Sequence, residues 1–209
     1  MKVIVFGASG KVGRLVVQEA AKRGYHVTAI VFKEDNMEFP KGARVLQLDV
    51  HDGLLVHEAL KGQEVVISAL GSWGTSTKDI LSAGMKNIVA AMKHEKIKRI
   101  ISLTGADARF VEDQPPLTSR LARPLLKLIA PKILADGEAH LALLAASQLQ
   151  WTVIRSPVMK DGNATAHKLN NRGCNVWESV TRQTVVRVMV DEIENDQHIR
   201  QAPILHSAK

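Results

Sequence analysis

The chain has 209 residues, 45% of them apolar and only 4% aromatic, with a formal net charge of +7. That length and composition suit one aliphatic-packed α/β domain. A single cysteine, Cys174, excludes an internal disulfide and a cysteine-based metal cluster, and no apolar run approaches the ~20 residues of a membrane span. Together with the lack of a signal pattern at the amino end, the lone thiol leads us to expect a reducing, cytoplasmic setting. Basic residues are spread along the chain and aromatics for base stacking are scarce, so no nucleic-acid partner is expected. A site for anionic ligands explains the charge more economically.

The first element is an apolar run, Lys2–Phe6, that breaks into Gly7-Ala8-Ser9-Gly10-Lys11-Val12-Gly13 before a helical pattern over Val12–Arg23. This reads as strand, tight turn and helix. Gly7 permits positive φ, Gly10 lets the backbone approach a pyrophosphate, and Gly13 lets helix and strand pack closely. The helix N-terminus then offers unpaired N–H groups to phosphates. Further strands are predicted at His26–Phe32, Arg44–Leu48, Val65–Leu70, Arg99–Leu103 and Trp151–Arg155, and helices at Leu54–Leu60, Lys78–His94 and Asp136–Ser147. Such alternation predicts a doubly wound parallel sheet of order 3-2-1-4-5-6 within a single domain spanning residues 1–209. Asp49 ends the third strand on the carboxyl edge where such sheets bind ligands, with a cap for the Leu54–Leu60 helix as its alternative or added role, and Asn87 reads as a mid-helix hydrogen-bonding residue holding adjacent strand ends. His51 and His57 flank a helix without the carboxylate spacing of a metal site, and no metal is expected.

Pro115–Lys132 is apolar and basic, punctuated by Pro124 and Pro131. It reads as a lid that also packs on the domain; a basic face for a partner or acidic membrane is the alternative, although the prolines interrupt a clean amphipathic helix. The polar Lys160–Asn175 stretch reads as loop or hairpin. Thr181 is predicted to cap a helix through Val185, Val188, Met189 and Ile193, and Ala202–Leu205 to form a final strand.

Three stretches carry a family resemblance: Gly7–Gly13, Gly84-Met85-Lys86-Asn87-Ile88-Val89-Ala90-Ala91-Met92, and Trp151-Thr152-Val153-Ile154-Arg155-Ser156-Pro157. In them the chain resembles the short-chain dehydrogenase/reductase superfamily, within it the atypical NAD(P)H-binding branch with NmrA-like and biliverdin reductase B-like (flavin reductase) proteins. The resemblance implies a Rossmann domain with substrate-side elements near residues 107–135 and 158–180. It places the dinucleotide against Gly7, Ala8, Ser9, Gly10, Lys11, Val12 and Gly13, with Phe32, Lys33, Asp49, Val50, Ala69, Leu70 and Gly71 near the adenosine and Leu103, Thr104, Pro157 and Val158 near the nicotinamide.

The second strand ends Val31-Phe32-Lys33, without the acidic residue that reads an NAD ribose. Lys33, Lys11 and Arg14 are cationic candidates for a 2′-phosphate, Glu34 and Asp35 oppose one, and plain solvated surface is the alternative for the lysines. NADP is mildly favoured over NAD. Most relatives use a tyrosine–lysine pair for proton transfer, but the lone tyrosine, Tyr25, falls before the second strand, and Leu134 stands where the lysine is often found. Thr104 is the one catalytic candidate, with a purely local strand-end role as its alternative. Arg155 reads as a partly buried structural cation and Cys174 as a loop thiol; His140 with Asp136 or Glu138 could form an acid–base pair by helical spacing, and solvated or packed helix groups are the favoured reading. The expectation is an NAD(P)H-dependent reductase passing hydride to a small conjugated acceptor (flavin, quinone or similar), as a monomer or weak homodimer. The alternative is an NmrA-like redox sensor that binds the dinucleotide without turnover.

Overall fold

The run Val3-Ile4-Val5-Phe6 has no polar face to turn to water, so it needs cover on both sides. The computed structural model, which describes residues 1–33, 38–72, 78–175, 177–195 and 197–208, shows how the chain supplies it. In chain order the elements are β1 (Lys2–Phe6), α1 (Lys11–Lys22), β2 (His26–Val31), β3 (Arg44–Gln47), α2 (Gly53–Leu60), β4 (Val65–Ser68), α3 (Ile80–His94), β5 (Arg99–Gly105), α4 (Leu117–Ile129), α5 (Pro131–Ala145), β6 (Gln150–Ser156), β7 (Val158–Lys160), β8 (His167–Asn170), β9 (Ser179–Thr181), α6 (Arg182–Asp191) and β10 (Ile204–Ser207).

Eight strands form one sheet in the order β3-β2-β1-β4-β5-β6-β10-β8, so the predicted doubly wound order holds and continues past β6. All pairings in it are parallel except β8 against β10. The period of two decides which helices each side chain meets. Ile4 and Phe6 join the core beneath α2, α3 and α5, whereas Val3 and Val5 join the core beneath α1 and α6.

Three expectations are corrected. The Lys160–Asn175 stretch is not a hairpin: His167–Asn170 adds to β10 as a polar edge strand, and β7 pairs with β9 in a separate ladder. An edge strand with little of its surface buried carries no apolar run, so its sequence reads as loop. Pro124 does not interrupt its helix, because α4 continues through it. Proline removes one N–H and crowds the preceding turn, a cost a helix can carry where the backbone meets solvent. Finally, α5 begins at Pro131, five residues before the predicted start, with the proline in the first turn where its missing N–H costs nothing. Thr181 caps α6 as expected, its hydroxyl accepting from the Thr184 N–H at 3.2 Å.

Candidate functional site

The carboxyl edge of the sheet gathers the predicted dinucleotide residues into two groups. The first surrounds the β1–α1 turn. Gly7 has φ +74°, and a Cβ there would lie 2.7 Å from the Ala69 carbonyl oxygen beyond β4. A Cβ on Gly13 would lie 2.0 Å from the Gly7 carbonyl oxygen, so α1 can approach the turn this closely only with glycine. Gly10 is the N-cap of α1 with no side-chain cap, and the first turn holds no acidic residue. Its N–H groups and positive dipole end therefore remain available to an anion, with exposed Lys11 beside them. Ala8 is buried and donates its N–H to the Ile30 carbonyl at 3.0 Å, tying the turn to β2. Ser9 is half-buried, and Val12 anchors the helix in the core.

Phe32 lies just past β2 rather than in it, with 59% of its surface exposed. The Lys33 ammonium stands 5.9 Å from the centre of its ring. Glu34 and Asp35, expected to oppose a phosphate, lie outside the described residues. At the end of β3 the alternative role considered for Asp49 falls to Asp52, which caps α2, accepting from Leu54 and Leu55 N–H at 3.0 and 3.1 Å. Asp49 sits closer to the strand end, where it accepts from the His51 N–H, a bond that holds its carboxyl below the ordinary range. Asn87 donates to the Val50 and His51 carbonyls, the structural role expected of it. A Cβ at Gly84 would meet Leu70 at 3.0 Å and Val50 at 3.2 Å, so α3 seats both strand ends; Gly71 follows, exposed.

The second group stands at the ends of β5 and β6. The Ala106 N–H donates to the Ser156 carbonyl at 2.8 Å, holding Leu103 and Thr104 beside Pro157 and Val158. Leu103, Thr104 and Pro157 are buried, whereas Val158 is exposed. Thr104 turns its hydroxyl toward α5, where Gly137 leaves room for it: a Cβ at Gly137 would come within 3.0 Å of Thr104 Oγ1.

Sequence reasoning missed the polar cluster behind this group. Of the two readings for Asp136 and His140, solvated or packed, packing is the one found. Both are buried, one turn apart on α5. Asp136 accepts from the Ser72 hydroxyl, from the Leu81 and Ser82 N–H groups at 3.1 and 2.8 Å, and from the Ser82 hydroxyl at 2.6 Å. It thereby supplies the cap that α3 lacks in its own sequence. His140 Nε2 lies 2.9 Å from Ser102 Oγ, while its Nδ1 is buried without a hydrogen-bond partner. Burial pushes this imidazole down to about pKa 4, against the opposing pull of Asp136, so it is neutral at pH 7. The only sequence signal was the i,i+4 spacing of the two groups on a face shared with Leu134, Leu141 and Leu144.

Arg155 is wholly buried rather than partly so. It donates to the Ala202 and Ala108 carbonyls at 2.7 and 3.0 Å and grips Asp113 through both terminal nitrogens at 2.7 and 2.5 Å. This fixes the chain after β5 against the end of β6. A narrow cavity follows, lined by Asp107, Arg109, Ser119, Arg123, Leu126 and Cys174, with α4 as its outer wall. Arg123 pairs with Glu138, and burial raises the Asp107 carboxyl above its ordinary range. Burial also pushes the Cys174 thiol up to about 11, leaving it protonated and unreactive at neutral pH. The opposite face of α4 turns Leu117, Leu121, Leu125 and Leu128 outward. Tyr25 is remote from all of this, its hydroxyl donating to Glu194 at 2.6 Å before β2.

An uncapped helix N-terminus behind a glycine turn, at the β1/β4 switch of a doubly wound sheet, is where such folds take dinucleotide phosphates. A family model for NAD(P)H-binding proteins matches residues 7–196. The chain belongs to this NAD(P)H-binding family. It is 30% identical over 155 residues to the uncharacterized protein YwnB of Bacillus subtilis (strain 168), covering 74% of this chain and 70% of that one. It is also 30% identical over 173 residues to the chloroplastic divinyl chlorophyllide a 8-vinyl-reductase of Arabidopsis thaliana, covering 74% of this chain but only 38% of that enzyme. Among solved structures it superposes with a TM-score of 0.78 on a candidate NADH-flavin reductase from Streptococcus pneumoniae, at 22% identity and 100% coverage of both chains. A short-chain dehydrogenase/reductase from Veillonella parvula DSM 2008, crystallised with NADP, gives 0.80 at 16% identity, covering 99% of this chain and 94% of that one. No helix among the described residues is long and apolar enough to cross a membrane.

Proposed function

We propose that this chain is an NAD(P)H-dependent reductase that passes hydride to a small conjugated acceptor such as a flavin or quinone. One observation carries the reading. The lone tyrosine is engaged with Glu194 away from the carboxyl edge, so the acceptor must be one that needs no tyrosine–lysine proton donor. His140, enclosed and neutral, carries no imidazolium proton to give at pH 7. Electron-poor conjugated acceptors meet that condition, because hydride addition yields a delocalised anion that water can protonate. The dihydronicotinamide, when bound, supplies the hydride; the protein supplies proximity and orientation.

The residues present fit that cofactor. The α1 N-terminus and the Gly7–Gly13 turn would take the pyrophosphate, and Phe32, Asp49, Val50 and Ala69–Gly71 would border the adenosine. Leu103, Thr104, Pro157 and Val158 would border the nicotinamide. Lys33, with Lys11, favours NADP mildly over NAD, a preference in keeping with the NADP found in the Veillonella relative. Residues 107–135 and 158–180 form the acceptor side, with α4 as a lid over the cavity.

Stopped-flow oxidation of NADPH with FMN or a soluble quinone tests the reading. Turnover slowed by Thr104→Ala at unchanged dinucleotide affinity supports it and gives Thr104 the orienting role. Tight NADPH binding without turnover on any such acceptor would overturn it in favour of a redox sensor.

A further inference from the structure

A second polar site lies at the opposite edge of the sheet, where α2 and α3 end. His57 in the last turn of α2 faces His94, the last residue of α3, and Glu95, its C-cap. Three atoms converge there: His57 Nε2 and His94 Nδ1 are 2.9 Å apart, and Glu95 Oε1 lies 2.9 Å from the first and 3.0 Å from the second. The rings stand perpendicular, with centres 4.4 Å apart, so each directs a nitrogen inward without stacking.

Hydrogen bonding alone serves this triangle poorly. If both imidazoles donate to Glu95 Oε1, the two N–H groups meet it about 60° apart, far tighter than the lone pairs of a carboxylate oxygen. If one imidazole donates to the other, two acceptor atoms face each other across the remaining side. A cation uses all three lone pairs at once. An ion about 2.1 Å from each donor with right angles between its bonds spaces the donors about 3.0 Å apart, the separation found here. A tetrahedral ion would need them about 3.4 Å apart, a small opening that exposed His94 can supply. Both helices also present the negative ends of their dipoles at this point.

We propose that His57, His94 and Glu95 form a binding site for a divalent first-row transition metal ion, holding it by two imidazole nitrogens and one carboxylate oxygen. Its remaining coordination positions face the shallow groove between α2 and α3 lined by Gly53, Asn87, Ala90 and Ala91 and stay open to water. The ion would clamp α2 to α3, the pair that Asn87 already ties at the other end through Val50 and His51. The role is structural and independent of the dinucleotide edge. Sequence spacing did not reveal it because the two histidines are 37 residues apart and meet only through helix packing.

The test is calorimetric titration of the untagged, chelator-stripped full chain with Ni2+, alongside Co2+ absorption and thermal melts. One ion should bind per chain and raise the melting temperature. His57→Ala and Glu95→Gln should each weaken binding at least about tenfold. His94→Gln should do the same, and since that side chain is 72% exposed its loss leaves the fold intact. His26→Ala, a control on an exposed histidine, should change nothing. Absence of binding at millimolar Ni2+, or binding unaltered in His57→Ala and His94→Gln, would overturn the assignment.

Discussion

His140 gives this fold a measurable dependence on acid. Its imidazole is enclosed between α5 and β5 and titrates at about 4 instead of 6.5. Between those values the unfolded chain binds a proton that the folded chain refuses, so stability rises with pH through this window and is lost as pH falls. The full shift corresponds to about 3 kcal/mol at 1.36 kcal/mol per unit, of which about 2 kcal/mol is lost between pH 7 and pH 5. Urea unfolding at a series of pH values measures this for wild type and for His140→Gln, which retains an amide for Ser102 but cannot titrate. The variant carries its own constant cost at pH 7; only the difference in slope matters, since all other titrations are shared. Wild type should lose about 2 kcal/mol more than the variant across that range. Parallel profiles would show that His140 is hydrated or already charged, and the account of this enclosed cluster would be wrong.

Three further outcomes follow from the geometry. Gly13→Ala places a Cβ 2.0 Å from the Gly7 carbonyl oxygen, so α1 must move off the turn; thermal melts should report a loss of about 2 kcal/mol and NADPH binding should disappear, whereas Gly10→Ala, with its nearest contact at 3.3 Å, should fold normally. Asp113→Ala leaves the Arg155 guanidinium wholly buried with only carbonyl partners and should cost about 3–5 kcal/mol in chemical unfolding; a loss under about 1 kcal/mol would mean water reaches it. Lys33→Glu should weaken NADPH at least about tenfold while hardly altering NADH, and an equal effect on both would remove Lys33 from the 2′-phosphate.

Much of the fold was legible because β1 and β4 are nearly continuous apolar runs, the other central strands are mainly apolar, and the helices between them repeat apolar residues at helical spacing. The strand order came with the glycine turn, since a parallel sheet with right-handed crossovers leaves few alternatives. Legibility ends where burial and local sequence part company. His167–Asn170 forms a strand because β10 offers it a free edge, not because its own side chains demand one. Asp136 caps a helix 55 residues earlier in the chain, and Asn87 binds a turn 37 residues away; neither partner can be named without the fold. The same holds for the proposed metal ligands, whose only local clue is the His94-Glu95 pair at a helix end.

The central claim is that the Gly7–Gly13 turn and the uncapped start of α1 hold a nicotinamide dinucleotide. Isothermal titration of the full chain with NADPH and NADH, repeated on Gly10→Asp, addresses it most directly. The account predicts micromolar binding of at least one nucleotide, abolished by an acidic side chain at the helix start while the melting temperature hardly changes. No heat with either nucleotide, or equal affinity in the variant, would contradict it.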